Sequence, residues 1–550
     1  MSFSRRAALL SAAFLVVAQP ALAAPKGKGF MPSSDAIRAH MTFLADDAME
    51  GREAGTRGYD IAANYVAAQY ALLGVKPGAN GAYLQSVPLL AFRNASEGAL
   101  GLTGADGKAM ALKFGEDYLP SPQAQASDLA VSAPLVFVGY GLVAPEKSRD
   151  DYAGLDVKGK IVVVLSGAPS GFQTEERAHY GNVAVKRVEA AKRGAVGVIT
   201  VGTTSAEKRR PFERGVVSYR EWRMTWRDAQ DVPHVRGVTA PSLATLSPKG
   251  AVKLFAGAPT ALDAVLASAE TPEGAVKGFD LPLTASVTLK SEIEKRQSSN
   301  VVGLIEGSDP ALNAQAIVLS AHLDHTGVND HGKGPDKINN GALDNASGIA
   351  TLLEVARGFR DAKTKPRRSV LLVAVTAEEK GLVGSEYFAN NPTVAKADIA
   401  ANVNLDMPVL LYPFTDVVAF GADRSTLGPA VAKAAGRVGI ALSPDPLPEE
   451  GLFTRSDHYR FVEQGVPSVF LMTGFQNGGE KGFKDFLATH YHKPSDDLNL
   501  PIDYVAAAKF ALVNYEIARE LADAKARPSW KAGDFFGTQF APAGHPSAAR

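Results

Sequence analysis

Histidine and acidic residues recur in the second half of this chain in positions that could bind a metal ion. Six of the ten histidines lie between residues 322 and 492. Imidazole and carboxylate groups are common ligands of Zn²⁺ and other divalent cations. Several of the candidates follow apolar runs of the kind that form buried strands, and another opens a predicted helix. Five segments supply the candidates: His322, Asp324 and His325 in the first, Asp344 in the second, Glu378 and Glu379 in the third, Asp406 in the fourth and His492 in the fifth.

Each of these residues has a simpler interpretation when it is taken singly. A lone histidine at a strand end is more often a hydrogen-bonded structural residue, and the pair Glu378-Glu379 could be a solvated helix start. The loops at the carboxyl ends of strands in an α/β sheet converge on one crevice, however, so residues distant in sequence can meet there. Burying many ionisable groups together is costly unless they are paired or hold a metal. Residue chemistry therefore predicts a metal site and leaves its reaction open.

Composition limits the kind of site and the kind of partner. The 550 residues include 58 Lys+Arg, 58 Asp+Glu and no cysteine. This balanced charge does not support a general nucleic-acid binder, which needs a basic excess. Without cysteine there is no disulfide and no thiolate ligand. Any zinc must therefore be held by His and carboxylate, a ligand set more typical of catalytic than of structural zinc.

The first residues have the pattern of an export signal. Arg5 and Arg6 precede an apolar run over residues 7–18, and Ala21-Leu22-Ala23 offers a small-residue cleavage site. A membrane anchor is the alternative, but the run is too short to span a bilayer comfortably. We therefore expect a periplasmic or secreted protein without stable membrane anchoring after signal removal. The Sec route is expected, and Arg5-Arg6 leaves a twin-arginine route open.

The elements that must position the candidates predict an α/β protein of more than one domain. A chain of 550 residues exceeds the size at which one hydrophobic core keeps growing. Glycine-bounded apolar strands alternate with helix patterns from about residue 131 and again from residue 300, which indicates a sheet covered by helices on both faces. The predicted organisation is a signal peptide (1–23), an N-terminal part of the main domain (24–130), an inserted unit (131–275), the catalytic main domain (276–525) and a tail (526–550).

Two segments have weaker interpretations. Residues 208–226 are rich in arginine and aromatic side chains, which favours a solvated surface loop; because this loop could overhang a cleft, it is also a candidate substrate contact. The Pro-, Gly- and Ala-rich tail is expected to be either mobile or a wrapping arm.

Five ordered motifs resemble those of the co-catalytic di-zinc aminopeptidases, relatives of bacterial leucyl aminopeptidases and of glutamate carboxypeptidase II. The motifs lie in residues 320–325, 341–348, 377–385, 404–407 and 491–492. Residues 137–165 look like the start of the protease-associated domain inserted in many of these enzymes, and residues 51–56 are similar to the family's N-terminal loop. The resemblance implies a mixed, mostly parallel sheet flanked by helices, of zinc exopeptidase type, with a smaller β-rich α/β insert.

The resemblance also implies roles for single residues. Two Zn²⁺ ions per chain would share Asp344, with His322 and Asp406 completing one site and Glu379 and His492 the other. Glu378 would be the general base: it would accept a proton from the water that supplies the hydroxide shared by the two ions, and return it to the leaving amine. Asp324 would orient His322 from outside the ligand set.

Further positions follow from the same resemblance. The Asp344-Asn345 peptide bond is expected to be cis. Asp457, His458 and Tyr491 are assigned to substrate binding at the cleft wall. The remaining nearby histidines, His325, His331 and His490, are expected to be structural or to surround the ligands. Leu343 departs from the family, which often has an acidic residue before the bridging Asp; because the bridging position is retained, we expect little effect.

The predicted function is that of an exported zinc exopeptidase that hydrolyses N-terminal residues from peptide substrates. A carboxypeptidase, a dipeptidase or another amide hydrolase on the same scaffold is the alternative among enzymes. A one-zinc glutaminyl cyclase is disfavoured because both ligand sets are complete. A non-catalytic binding protein is disfavoured because such proteins lose ligands. Residue preference and oligomeric state stay open.

Overall fold

The computed structural model describes residues 29–329, 332 and 334–542. The predicted signal peptide, His331 and the last residues of the predicted tail (543–550) lie outside the described residues. Within the described part of the chain, none of the helices combines the length and the apolar composition needed to cross a membrane.

Strands and helices alternate along most of the chain. The strands are β1 (Lys76–Pro77), β2 (Leu84–Asn94), β3 (Ala99–Gly104), β4 (Ala109–Ala111), β5 (Tyr118–Pro120), β6 (Asp128–Phe137), β7 (Val143–Ala144), β8 (Arg149–Asp150), β9 (Ile161–Leu165), β10 (Gly197–Val201), β11 (Arg223–Trp226), β12 (Ser242–Leu246), β13 (Phe279–Ile305), β14 (Ala316–His322), β15 (Gly327–Val328), β16 (Ile338–Asn339), β17 (Ser369–Val375), β18 (Ile399–Leu405), β19 (Asp416–Phe420), β20 (Ala441–Ser443) and β21 (Ser468–Thr473).

The α-helices are α1 (Ser34–Leu44), α2 (Arg57–Leu72), α3 (Thr174–Gly181), α4 (Val183–Lys192), α5 (Thr204–Arg209), α6 (Phe212–Ser218), α7 (Pro248–Leu254), α8 (Leu262–Ala269), α9 (Ser347–Asp361), α10 (Val383–Asn390), α11 (Leu427–Arg437), α12 (His458–Val462), α13 (Gly479–Thr489), α14 (Tyr504–Asp523) and α15 (Phe535–Phe540). Short helical turns include Pro448–Glu450 and Leu452–Thr454.

The main sheet is mixed, with parallel strands at its centre. Its order is β11-β2-β13-β17-β14-β18-β21-β19-β20, with β1 beside the end of β13. The strands β17, β14, β18 and β21 pair in parallel, and the outer pairings are mostly antiparallel. This confirms the predicted α/β class.

Burial on both faces explains the apolar runs of the central strands. Every residue of β14 is buried; Ile317 and Leu319 pack into one core with α1, α2, α9, α11 and α14. Val318, on the opposite face, packs into a second core with α10 and α12. A strand covered on both sides needs apolar residues at successive positions rather than at alternate ones.

A second sheet forms a separate unit, joined to the first through β13. Its order is β4-β3-β13-β6-β9-β10-β12-β5. The 27-residue strand β13 pairs with β3 and β6 through its first half and with β2 and β17 through its second half. We call this unit the insert. It has its own apolar core, to which α7 and α8 contribute.

The strands of the insert do not follow the predicted boundaries of 131–275. Strands β3 to β5, which precede residue 131, hydrogen-bond within its sheet, whereas β11 pairs with β2 of the main sheet. Composition changes near residue 131, but hydrogen-bond partners decide to which sheet a strand belongs.

The two weakly interpreted segments have defined places. Residues 208–226 contain α6 and β11, and Trp222 lies under the guanidinium groups of Arg93 and Arg296. In the tail, Trp530 is buried and donates to the carbonyl of Gly465 at 2.8 Å. The described part of the tail is therefore the wrapping arm of the two alternatives. We call residues 526–542 the C-terminal arm.

Candidate metal centre

Parallel pairing brings three of the candidate segments to one edge of the main sheet. In the register of the central strands, His322 at the end of β14 lies opposite Val375 of β17, and Ser320 lies opposite Asn404 of β18. The turn after β17 therefore reaches His322 from one side and the turn after β18 from the other. This is the crevice that the sequence predicts at the carboxyl ends of parallel strands.

Asp344 lies at the centre of the cluster and contacts histidines on both sides. His322 Nε2 is 3.2 Å from Asp344 Oδ1 and 3.0 Å from Asp406 Oδ1. On the other side, His492 Nε2 is 3.3 Å from Asp344 Oδ2 and 3.1 Å from Glu379 Oε2. The structure thus brings all five predicted ligands together, with Asp344 shared between two groups.

His325 joins the second group more closely than the sequence suggests. Its Nδ1 atom is 2.8 Å from Glu379 Oε1 and 3.9 Å from Asp344 Oδ2, and its ring is completely buried. Among the residues that the structure describes, two sets of nitrogen and oxygen atoms are close enough together to hold a metal ion: His322, Asp344 and Asp406, and His325, Asp344 and Glu379. By contrast, His490 hydrogen-bonds to Ser495 outside the cluster.

The charges of the cluster are strongly coupled. Burial lowers the pKa of His492, but hydrogen bonds to Asp344 and Glu379 outweigh it and raise that pKa to about 10. Burial acts to raise the pKa of Glu379, but the carboxylate charge is held by its histidine neighbours, and its pKa falls to about 2. The carboxylates of Asp344 and Glu379 thus stay ionised and need cationic partners. A divalent cation suits such a set, and His with carboxylate and no thiolate is the ligand chemistry of catalytic zinc.

Glu378 is adjacent to the donors but belongs to neither group. Burial raises its pKa well above its ordinary value; His322 opposes this, and the negative charges of Glu379 and Asp406 reinforce it. Its side chain lines the cavity beside the donors. A carboxyl group with a raised pKa, next to the donors but outside their contacts, is suited to accept and return a proton.

The side chain of Asp324 makes different hydrogen bonds from the one expected with His322. His322 Nδ1 lies 3.0 Å from the backbone carbonyl of Asp324, not from its carboxylate. The carboxylate instead accepts the backbone N–H groups of Glu378, at 3.0 Å, and Glu379, at 3.3 Å. Asp324 therefore orients the histidine through its main chain and the Glu378-Glu379 turn through its side chain.

Two residues that the sequence interpretation missed hold the chain around Asp344. Asn345 donates to the carbonyl of Leu405 at 3.0 Å and accepts from the N–H groups of Gly348 and Met407. Asp496 accepts the N–H of Asp344 at 3.0 Å. Asn345 occurs inside a recognised motif and Asp496 lies shortly after another, but their residue types alone did not reveal these roles. The Asp344-Asn345 peptide bond is cis, as predicted.

A third missed residue, Arg52, lies completely buried behind the cluster. Its guanidinium donates to the backbone carbonyls of Leu44, Leu323, Asn340 and Gly341. Leu323 follows His322, and Gly341 begins the turn that leads to Asp344. Burial lowers the pKa of Arg52 to about 10, which the charges of Asp496 and nearby carboxylates oppose, so it is a cation at neutral pH. Arg52 therefore links two ligand-bearing loops and places a permanent positive charge among the acids.

A relay of polar side chains supports Asp406. Ser320 donates to Asn404 Oδ1 at 2.7 Å, Asn404 donates to Ser456 Oγ at 2.7 Å, and Ser456 donates to Asp406 Oδ2 at 2.5 Å. The relay orients the carboxylate because each buried group has only one arrangement that satisfies its hydrogen bonds.

An apolar cavity opens beside the donors and measures about 650 Å³ with its mouth. Its remaining lining is mostly apolar, with one acidic and one basic residue: Met407, Leu447, Glu450, Leu452, Arg455, Ser456, Phe470, Met472, Phe483, Leu487 and Tyr491. Residues 208–226 are absent from this lining, so the structure does not support the substrate contact considered for them.

Of the three residues assigned to the cleft wall, only Tyr491 lines the cavity, where its ring lies 3.8 Å from that of His492. Asp457 and His458 are completely buried and absent from the lining. The ring of His458 packs between Phe453 and Phe470, and burial lowers its pKa to about 3. The two residues lie behind the wall because α12 begins there and packs against the sheet.

Fold and donor set together define a class of protein. An α/β domain that gathers His and carboxylate donors at the carboxyl ends of parallel strands, without cysteine, is typical of metal-dependent hydrolases. Residues 300–518 match the model of peptidase family M28. This segment carries all of the candidate donors, so the candidate metal centre lies in the part of the chain that is similar to that family. The predicted resemblance to the zinc peptidases is thus confirmed; the protease-associated identity of the insert stays a prediction.

Relatives of known name match parts of the chain. It is 28% identical over 234 residues to a probable leucine aminopeptidase 2 of Aspergillus fumigatus, covering 39% of this chain and 43% of that protein. It is 26% identical over 319 residues to a probable glutamate carboxypeptidase of Arabidopsis thaliana, covering 53% of this chain and 39% of that protein. The chain therefore spans less than half the length of these relatives.

The same fold occurs in a solved structure. The aminopeptidase from Aneurinibacillus sp. strain AM-1 superposes with a TM-score of 0.51 at 20% sequence identity, covering 90% of this chain and 95% of that one. At this identity the likeness shows a shared fold.

Replacing Arg52 by lysine is expected to lower both the stability of the protein and its affinity for zinc. Lysine keeps the charge but cannot serve four carbonyls at once, so we expect the free energy of unfolding to fall by about 1–3 kcal/mol. Because two ligand-bearing loops lose a common anchor, zinc affinity should fall by about 10- to 100-fold. Urea unfolding and competition with a zinc chelator measure the two effects. Arg57→Lys, at an exposed position on α2, is the control; equal zinc affinity in both variants would contradict this role.

Proposed function

We propose that this chain is an exported zinc-dependent exopeptidase that releases N-terminal residues, preferably apolar ones, from peptides. The observation that carries the proposal is the position of Asp344, whose two carboxylate oxygens face two separate donor groups beside an apolar cavity. The family of residues 300–518 supports the same reaction class.

The donor contacts favour two metal positions. His322, Asp344 and Asp406 would hold one zinc ion, and Asp344, Glu379 and His492 the other. His325, at 2.8 Å from Glu379, would orient that carboxylate. Bound zinc supplies a Lewis acid that polarises a scissile carbonyl and lowers the pKa of water.

Glu378 would move the proton of the reaction. Its buried carboxylate would accept a proton from the attacking water and return it to the leaving amine. The hydrogen bonds that Asp324 accepts from the N–H groups of Glu378 and Glu379 would fix the turn. Glu379 would then face the donors, while Glu378 would face the cavity.

The cavity suggests how a substrate would be recognised. Met407, Leu452, Phe470 and Met472 offer apolar contacts to a side chain next to the scissile bond. A free α-amine would be attracted by the acidic groups around Asp344.

A carboxypeptidase reaction remains the second candidate, and Arg455 is the observation that favours it. Its guanidinium lines the cavity, is about half exposed and lies 3.4 Å from Glu450, so it could pair with a terminal carboxylate instead.

The site of action follows from the N-terminal pattern. A charged start, a short apolar run and a small-residue exit support export to the periplasm or beyond, with Zn²⁺ acquired by the folded protein.

Removing the shared carboxylate should release both metal ions. In Asp344→Asn we expect the zinc content to fall from about two ions per chain to less than one, because both donor groups lose an anionic ligand. Metal analysis by mass spectrometry after dialysis measures this, with circular dichroism as a check on folding. Asp35→Asn, which alters an exposed carboxylate on α1, should keep the full content. A wild-type content below one zinc per chain would refute the two-metal proposal.

Replacing Glu378 by glutamine should separate catalysis from metal binding. We expect kcat to fall by about 100- to 10,000-fold because the proton acceptor is lost, while the zinc content stays at the wild-type value. Glu449→Gln, an exposed neighbour of the cavity, is the control. Near-normal turnover in Glu378→Gln would show that another group is the base.

Substrate series should distinguish the two exopeptidase reactions. An aminopeptidase should hydrolyse leucine p-nitroanilide and lose activity when the α-amine is acetylated, since the charged amine is part of what the acidic site binds. N-blocked dipeptides with a free carboxylate test the alternative. If these were the better substrates, and Arg455→Ala abolished their hydrolysis, the chain would be a carboxypeptidase.

A further inference from the structure

A buried arginine joins three parts of the chain that are distant in sequence. Arg424, just before α11, is 7% exposed. Its Nε donates to Glu175 at 2.5 Å, its Nη2 to Gln173 at 2.9 Å, and its Nη1 to Asp534 at 2.9 Å. Glu175 and Gln173 belong to the insert, at the start of α3, whereas Asp534 caps α15 of the C-terminal arm. One guanidinium thus ties the main domain to both the insert and the arm.

The same guanidinium covers the back of one wall of the cavity. We call residues 447–456 the wall segment; Leu447, Leu452 and Ser456 of this segment line the cavity. Phe453 points away from the cavity and is completely buried, with the Arg424 guanidinium 5.6 Å above its ring. Phe536 of the arm packs against Phe453 with ring centroids 5.1 Å apart.

Helix α3 of the insert also contacts the wall segment directly. At Gly451, where φ is +58°, an added Cβ would lie 2.9 Å from the Cβ of Ala178 on α3, so the helix and the turn approach as closely as glycine allows. At the next residue of α3, His179 Nδ1 is 2.7 Å from the hydroxyl of Tyr459 on α12. The wall segment is therefore supported by parts of the chain outside the metal-binding sheet.

The front of the wall segment meets the metal centre, because Ser456 donates to Asp406. A shift of the segment would thus alter the cavity, whereas Asp406 also contacts His322 at 3.0 Å and keeps that partner. Buried ion pairs with more than one partner accept few alternative geometries, since a displaced charge would be left unpaired.

We propose that Arg424 is a specificity-determining positioning residue, through which the insert and the C-terminal arm set the shape of the substrate cavity. Glu175 and Asp534 hold its guanidinium in place. The guanidinium and Phe536 in turn hold the ring of Phe453. Phe453 then positions the wall segment, which a substrate side chain would contact. The insert then acts on substrate choice without contributing a residue to the cavity lining. This inference rests on the proposed exopeptidase function for its kinetic consequence, but its structural part is independent of it.

Two variants test the link in the full-length protein. Arg424→Ala removes the shared cation, and Ala178→Leu separates α3 from Gly451 while leaving the ion pairs in place. In both we expect amide hydrogen exchange of residues 447–456 to accelerate by about tenfold or more, because a supported segment gains local opening. For leucine p-nitroanilide, KM should rise by about tenfold, while kcat and zinc content change by less than about threefold. The preference for leucine over alanine substrates should fall accordingly.

Arg437→Ala is the matched control. Arg437 also pairs with two carboxylates, Glu516 at 2.8 Å and Glu520 at 2.7 Å, but on the surface between α11 and α14. It should leave the exchange of residues 447–456 and the leucine preference unchanged.

Two outcomes would overturn the proposal. One is unchanged exchange and unchanged leucine preference in folded Arg424→Ala and Ala178→Leu. The other is an equal loss of activity on every substrate together with loss of zinc, which would show that Arg424 acts only on overall stability. If the wild-type protein hydrolyses none of these substrates, the exopeptidase function fails, while the exchange measurements still decide whether Arg424 positions the wall.

Discussion

The burial of several carboxylates at one edge of a parallel sheet is the constraint on which the rest of this structure depends. Asp344, Glu379 and Asp324 are almost completely removed from water, and each would destabilise the fold if it stood alone. Three kinds of contact stabilise these buried charges: imidazoles lie against the carboxylates, backbone N–H groups donate to Asp324, and the positive charge of Arg52 lies behind them. Because these contacts allow the carboxylates to stay charged while buried, the same arrangement makes them suitable ligands for a metal ion.

Positioning is divided between two layers of the molecule. Close to the candidate metal centre, the side chains of Asn345 and Asp496 hydrogen-bond to the main chain, and the polar relay hydrogen-bonds to the carboxylate of Asp406, so the donor atoms are held in place. Farther out, the insert and the C-terminal arm pack against the wall segment. The first layer sets the positions of the donor atoms. The second determines the shape of the space beside that ion, and so which side chain can enter it.

Much of the site could be predicted from the sequence because it is built from short local motifs. A histidine directly after a buried strand, or an acid directly after the next parallel strand, is placed by the strand itself. The five candidate ligands and Glu378 could therefore be named from residue types, spacing and resemblance. Asp457 and His458 could not be placed correctly, because whether a residue faces a cavity or the core behind it depends on how α12 packs. The role of Arg52 could not be predicted because its partners are backbone carbonyls. Every residue has one, so residue types do not show which carbonyls an arginine will bind.

The sequence by itself determined the α/β class and the cysteine-free set of His and carboxylate donors. It also determined the order along the chain of the strands whose ends carry these donors. These follow from hydrophobic periodicity and local chemistry. Only the tertiary structure decided the extent of the insert, the apolar lining of the cavity and the meeting of Arg424 with Glu175 and Asp534. Such features join residues more than a hundred positions apart, and their geometry is set by the packing of whole elements rather than by any pattern along the chain.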